Sequence, residues 1–235
     1  MSEGTHLDNV GMAQAATSRR KFLVGSAALL AGGALMAVPG VAKAHITNEG
    51  VSDVDIINYA LTLERLEATF YRRVLNRFNE REFERANIFD GLGSYLRNRT
   101  YQNFLRISEH EDTHVQTLVS VIKSLGGTPV PTVGYSFGIK NVADAVQTAQ
   151  LLENTGVKAY DGAITHIESA EYLTAGATIA TVEARHLSYL NLLNRQTGFP
   201  AAFDDPVAPW QICETVDAAF ITDAPEPPGV LRHAA

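Results

Sequence analysis

The sequence predicts an all-α protein: a four-helix bundle with a long crossover between its second and third helices, followed by an irregular C-terminal extension. Three observations lead there. Four segments carry apolar residues at helical spacing, and no segment after the N-terminal leader alternates as a strand would. A connection rich in proline and glycine, residues 126–140, separates the second segment from the third, whereas only a few residues join the third to the fourth. Each helical segment also sets one glutamate in the middle of its apolar face, where an unpaired carboxylate is costly to bury.

The leader comes first. Ser18-Arg19-Arg20-Lys21-Phe22-Leu23 forms a twin-arginine motif, followed by an apolar run over residues 24–38 that Gly25, Gly32 and Gly33 dilute. Ala42-Lys43-Ala44 supplies an A-x-A cleavage site, so residues 1–44 read as an export signal. The run is short and weakly apolar for a membrane span, and no span is expected once the signal is removed. The twin-arginine export machinery is the implied partner, with a periplasmic or extracellular destination. Such a route carries proteins already folded, which favours a metal site loaded beforehand over a disulfide scaffold. Cys213 is the only cysteine, which excludes an intrachain disulfide.

Charge narrows the function classes. The chain carries a formal net charge of −7, and removing residues 1–44 moves it to about −9. With no basic cluster in the remainder, nucleic acid and anionic membrane surfaces are not expected partners.

The bundle is expected within residues 45–200. Its first helix starts after Ser52, an N-cap with Asp53 and Asp55 in the first turn, and runs to about residue 77. A polar stretch, residues 79–93, has room for a short helix before the second long one, about residues 97–125, which stops at Gly126-Gly127. The third spans about residues 141–166 and the fourth about residues 169–194, ended by Gly198 and Pro200. About fifteen extended residues reach ~50 Å, and a helix of about twenty-five residues is ~37 Å long. The 126–140 connection can therefore run the length of the bundle and leave helices two and three parallel. Residues 201–235, punctuated by Pro206, Pro209, Pro225, Pro227 and Pro228, show no clear period; they are expected to pack irregularly on the bundle near Trp210.

The four inward glutamates are Glu64, Glu111, Glu153 and Glu183. The second and fourth helices add a histidine one turn on, as Glu111-Asp-Thr-His114 and Glu183-Ala-Arg-His186. At i, i+3 spacing the carboxylate and imidazole share a face, about 5 to 6 Å apart at Cβ, so both can reach one ion. One E-x-x-H match is weak, but here E, E-x-x-H, E, E-x-x-H occurs once per helix. The halves match further, since Tyr71 follows Glu64 and Tyr160 follows Glu153 at the same distance.

This pattern resembles the ferritin-like di-metal carboxylate proteins, in which two helices give a Glu each and the other two an E-x-x-H each. The resemblance covers roughly residues 52–195. Around Leu63-Glu64-Arg65-Leu66-Glu67-Ala68 and Phe70-Tyr71 it is closest to bacterial ferritin-like proteins related to plant desiccation-induced proteins. It implies that Glu64 and Glu153 are single-carboxylate ligands, Glu111 and Glu183 bridge, and His114 and His186 are terminal nitrogen ligands. Four carboxylates and two neutral imidazoles carry a charge of about −4, which two divalent ions cancel. Mixed oxygen and nitrogen donors suit iron or manganese, with zinc admissible.

Other residues near the set are weighed differently. Glu67 lies one turn from Glu64 in the same stripe and competes with it as the helix-one ligand. The Tyr71 spacing and the internal repeat favour Glu64, because Gly156 stands where the third helix would need a counterpart of Glu67. Tyr71 and Tyr160 are expected to hydrogen-bond ligand carboxylates across the bundle or to pack in the core. His110, beside Glu111, is expected to contact the ligands or solvent rather than a metal.

Two function classes follow. The first is an exported di-metal protein, redox-active toward dioxygen or peroxide, with ferroxidase-like or catalase-like chemistry. The second is a stress- or desiccation-related protective protein whose metal site is structural and turns nothing over. An iron-storage cage is less favoured, because the long tail and crossover do not suggest a subunit built for a shell. A homo-oligomer is compatible with the sequence.

Overall fold

The computed structural model describes residues 51–222, so the export signal and the last residues of the tail lie outside the described residues. Within them the chain is helical, and the all-α bundle expected from the sequence is borne out. Four long helices form it: α1 (Asp53–Arg77), α4 (Thr100–Ser124), α5 (Val142–Ala163) and α6 (Ala170–Leu193). Between α1 and α4 come the short α2 (Glu80–Glu84), a 3-10 turn (Asn87–Phe89) and α3 (Ser94–Arg97).

Local chemistry sets the helix starts. Ser52 caps α1 in a capping box with Asp55, each side chain accepting from the other's backbone N–H. Asn141 and Ser169 cap α5 and α6 by accepting from the N–H of Asp144 and Tyr172. The carboxylate of Asp53 accepts from the backbone N–H of Glu168 and Ser169, which fixes the start of α6 beside the start of α1.

The long connection runs along α1. Asn58 bonds the backbone of Thr128 and Val130, Arg65 bonds the Thr132 hydroxyl, and Arg73 donates to the Tyr135 carbonyl. Both series of numbers rise together, so the connection travels from the N-terminal to the C-terminal end of α1. Helix α5 then runs back, since Tyr71 meets Glu153 while Tyr160 meets Glu64. Close packing of α1 with α4 and of α5 with α6 makes each an antiparallel pair, and α1 also packs on α5. Helices α4 and α5 are thus parallel, as the length of the crossover allows.

One element departs from expectation. The tail is not irregular throughout: Pro209–Phe220 forms a helix, α7, with proline in its first turn. It packs on α5 through Ile212 and Val216, both within the main apolar cluster. The approach before it is tight, because the backbone of residue 207 donates to the Lys158 carbonyl. A Cβ on Gly162 would fall 1.8 Å from the Val207 carbonyl oxygen, so that position accepts no side chain. Tyr135 and Ile221 form an isolated antiparallel bridge that ties the tail to the crossover.

Candidate metal centre

All four inward glutamates, one from each long helix, are fully buried, and His114 and His186 are nearly so. The aromatic packing of Phe70 and Phe104 against Tyr71 holds that tyrosine in the core. Its hydroxyl donates to Glu153 Oε1, and Tyr160 reciprocates from α5 to Glu64 Oε1, each at 2.5 Å. The two bonds cross the bundle in opposite senses, which is the approximate two-fold written in the repeat.

The histidines point the same way. Nδ1 of His114 lies 3.1 Å from Glu64 Oε2, 3.2 Å from Glu111 Oε2 and 3.3 Å from Glu183 Oε1. Nδ1 of His186 lies 3.1 Å from both Glu111 Oε1 and Glu153 Oε2. Two groups of donor atoms result, each within 4.8 Å of one another: Glu64, Glu111, His114 and Glu183, and Glu111, Glu153, Glu183 and His186. Glu111 and Glu183 belong to both.

Whether this arrangement fits a metal pair is decided by what it leaves unsatisfied. Oε2 of Glu183 is buried with no partner, and Oε1 of Glu183 and of Glu111 meet only the Nδ1 atoms of His114 and His186, which other glutamate oxygens already share. Among the described residues, the only ion pairs the four glutamates make are with the two histidines. Burial raises the Glu111 carboxyl from 4.5 to about 7, helped by the neighbouring Glu183 carboxylate and opposed by His114 and His186. Burial and the adjoining carboxylates also push Glu183 well up, and burial raises Glu153. Burial alone would lower the histidines, but hydrogen bonds to the glutamates outweigh it and raise His114 to about 12 and His186 to about 10. Buried carboxyls whose ionised form is disfavoured, packed against imidazoles that favour theirs, form the kind of cluster that bound cations relieve.

Glu67 is a fifth buried carboxylate, 2 % exposed. It belongs to neither donor group, and its place is made by Gly156: a Cβ there would stand 3.0 Å from Glu67 Oε1 and 3.2 Å from Glu183 Oε2. Burial and the Glu183 carboxylate raise its carboxyl well above the ordinary value. His110, half-buried, sets its Nδ1 2.9 Å from Nε2 of His186, with the two rings within 14° of parallel. The far nitrogen of His186 is thereby engaged, leaving Nδ1 for the centre.

Residues 52–196 match the family model for the ferritin-like domain, which is more than half of the chain. The chain belongs to the ferritin-like domain family. Among solved structures, a conserved hypothetical protein from Mycobacterium tuberculosis aligns at 18 % identity and a TM-score of 0.48, covering 64 % of this chain and 96 % of that one. No curated protein matches. No helix among the described residues of this ferritin-like chain is long and apolar enough to cross a membrane.

Proposed function

We propose that this ferritin-like protein holds two divalent ions, iron or manganese, and is redox-active toward dioxygen or peroxide. The observation that carries the reading is the pair of four-residue donor groups sharing Glu111 and Glu183. Glu64 and His114 would hold one ion and Glu153 and His186 the other, with Glu111 and Glu183 available to both. When bound, such a pair supplies electrons to a small oxidant or takes them from it.

The chain's own residues set the conditions. Tyr160 and Tyr71 fix one oxygen each of Glu64 and Glu153, leaving the other oxygen of each to face the centre. Oε2 of Glu183 meets no hydrogen-bond donor, so that carboxylate has room to shift as charge changes. Complete burial of the glutamates excludes bulk water, which strengthens every charge interaction within. Glu67, in the space left by Gly156, is placed to take up or give a proton beside Glu183. The twin-arginine signal supports export of the folded, loaded protein.

The same burial favours a second reading, in which the ions hold the four helices together in a stress-protective protein and nothing turns over. Elemental analysis followed by peroxide and ferrous-oxidation assays separates the two. Two ions per chain with multiple turnovers support the redox reading. Two ions with no turnover select the structural one, and a metal-free protein overturns both.

A further inference from the structure

The helix pairs α1–α4 and α5–α6 leave a cleft on the side where α4 faces α6, and a cavity of about 350 Å³ occupies it. Its walls come from all four long helices, with Leu118 and Val121 of α4 facing Leu173, Gly176 and Ile179 of α6. At the inner end stand His114 and Tyr160, both already turned to the acidic centre.

The chemistry of the wall defines what fits. The hydroxyls of Thr117 and Thr178 donate to carbonyls of their own helices, at Thr113 and Ala175, and are not offered to the cavity. Water held in such a space needs two to four polar partners, and most of the wall is apolar side chain. The volume lies at the small end of the ~300 to 1,000 Å³ that ligand pockets occupy, which suits one small molecule rather than a protein segment.

We propose that this cavity is a binding site for a small, neutral, largely hydrocarbon molecule. A bound molecule of this kind lies with one end against His114 and Tyr160. Its nearness to metals rests on the reading of the centre given above, but its binding does not.

Gly176 gives a clean way to close the site. Nothing lies within 4 Å of where a Cβ would sit on it, so the helix accepts a larger residue there without a backbone clash. The test titrates aminoanthracene, whose fluorescence rises in an apolar site, into metal-free and metal-loaded protein, and then displaces it with decanol. The expected result is one saturable site per chain in both forms, displaced by decanol, at least about tenfold weaker in Gly176→Phe and unchanged in Gly176→Ala. Circular dichroism and metal content measured on the same samples establish that the Phe variant is folded. Absence of saturable binding in the parent, or equal binding in a folded Gly176→Phe protein, overturns the proposal. Loss of metal from every sample would count against the metal centre alone, because the probe result stands without it.

Discussion

Replacing Glu111 with glutamine should stabilise the protein without metal and lose most or all of that advantage with it. Glu111 is buried and its carboxyl is raised from 4.5 to about 7 by burial and by Glu183. A carboxyl whose folded pKa exceeds its unfolded one contributes stability that is fully present below about 4.5 and lost as pH rises through about 7. At ~1.4 kcal/mol per pH unit, ionised Glu111 costs the metal-free fold about 3 kcal/mol at pH 8. Glutamine keeps the shape without the charge but gives up an acceptor for His114 or His186, a loss of about 1 kcal/mol. Glu111→Gln should therefore stabilise the metal-free protein at pH 8 by about 1 to 3 kcal/mol and change it little at pH 5. Ligand at a hundred times its Kd adds about 2.7 kcal/mol to the parent, and the variant, lacking a shared carboxylate, should gain far less. Urea unfolding at both pH values, with chelator and with manganese, reads all four quantities. A variant less stable than the parent at pH 8 without metal, yet stabilised equally by manganese, would refute the reasoning.

Loading metal onto the protein at pH 8 should release at least about two protons per chain, because His114 and His186, raised to about 12 and 10, must lose theirs to become ligands; an indicator dye in weak buffer measures this, and no release would contradict it. Tyr71→Phe and Tyr160→Phe should each weaken one ion about 10- to 100-fold, the first the ion at Glu153 and His186, the second the ion at Glu64 and His114, as competition with a chromophoric chelator would show. Glu64→Gln should cost one ion per chain by elemental analysis while Glu67→Gln keeps both, since only Glu64 belongs to a donor group. Ile212→Ala should lower unfolding free energy by about 2 to 5 kcal/mol without changing metal content, because it detaches α7 from the core and leaves the centre intact.

Most of the scaffold was legible because helical periodicity is local. The start of α1 is marked by Ser52 with Asp53 and Asp55, and the length of residues 126–140 allows the parallel arrangement of α4 and α5. The repeat of glutamates was visible for the same reason: each is the odd residue on an apolar face. Helix α7 was obscured by its surroundings. Prolines at 206 and 225 flank it, and its buried stripe amounts to Pro209, Ile212 and Val216, too short to set a period, although Pro209 followed by that spacing was a usable signal. The contact between His110 and His186 depends on two helices meeting at a particular rotation, which no single-helix pattern encodes. The repeat shows Gly156 in the place of a counterpart to Glu67, but that it makes the room Glu67 occupies is a property of packing. The cavity between α4 and α6 is likewise set by how far two helices stand apart, and sequence spacing carries no record of that distance.

Anomalous diffraction at the iron and manganese edges, from crystals of protein purified without chelator, tests the central claim most directly. The account predicts two peaks inside the bundle, one bound by Glu64 and His114, the other by Glu153 and His186, with Glu111 and Glu183 touching both. A single peak, a peak bound instead by Glu67, or a bundle interior with no anomalous signal would contradict it.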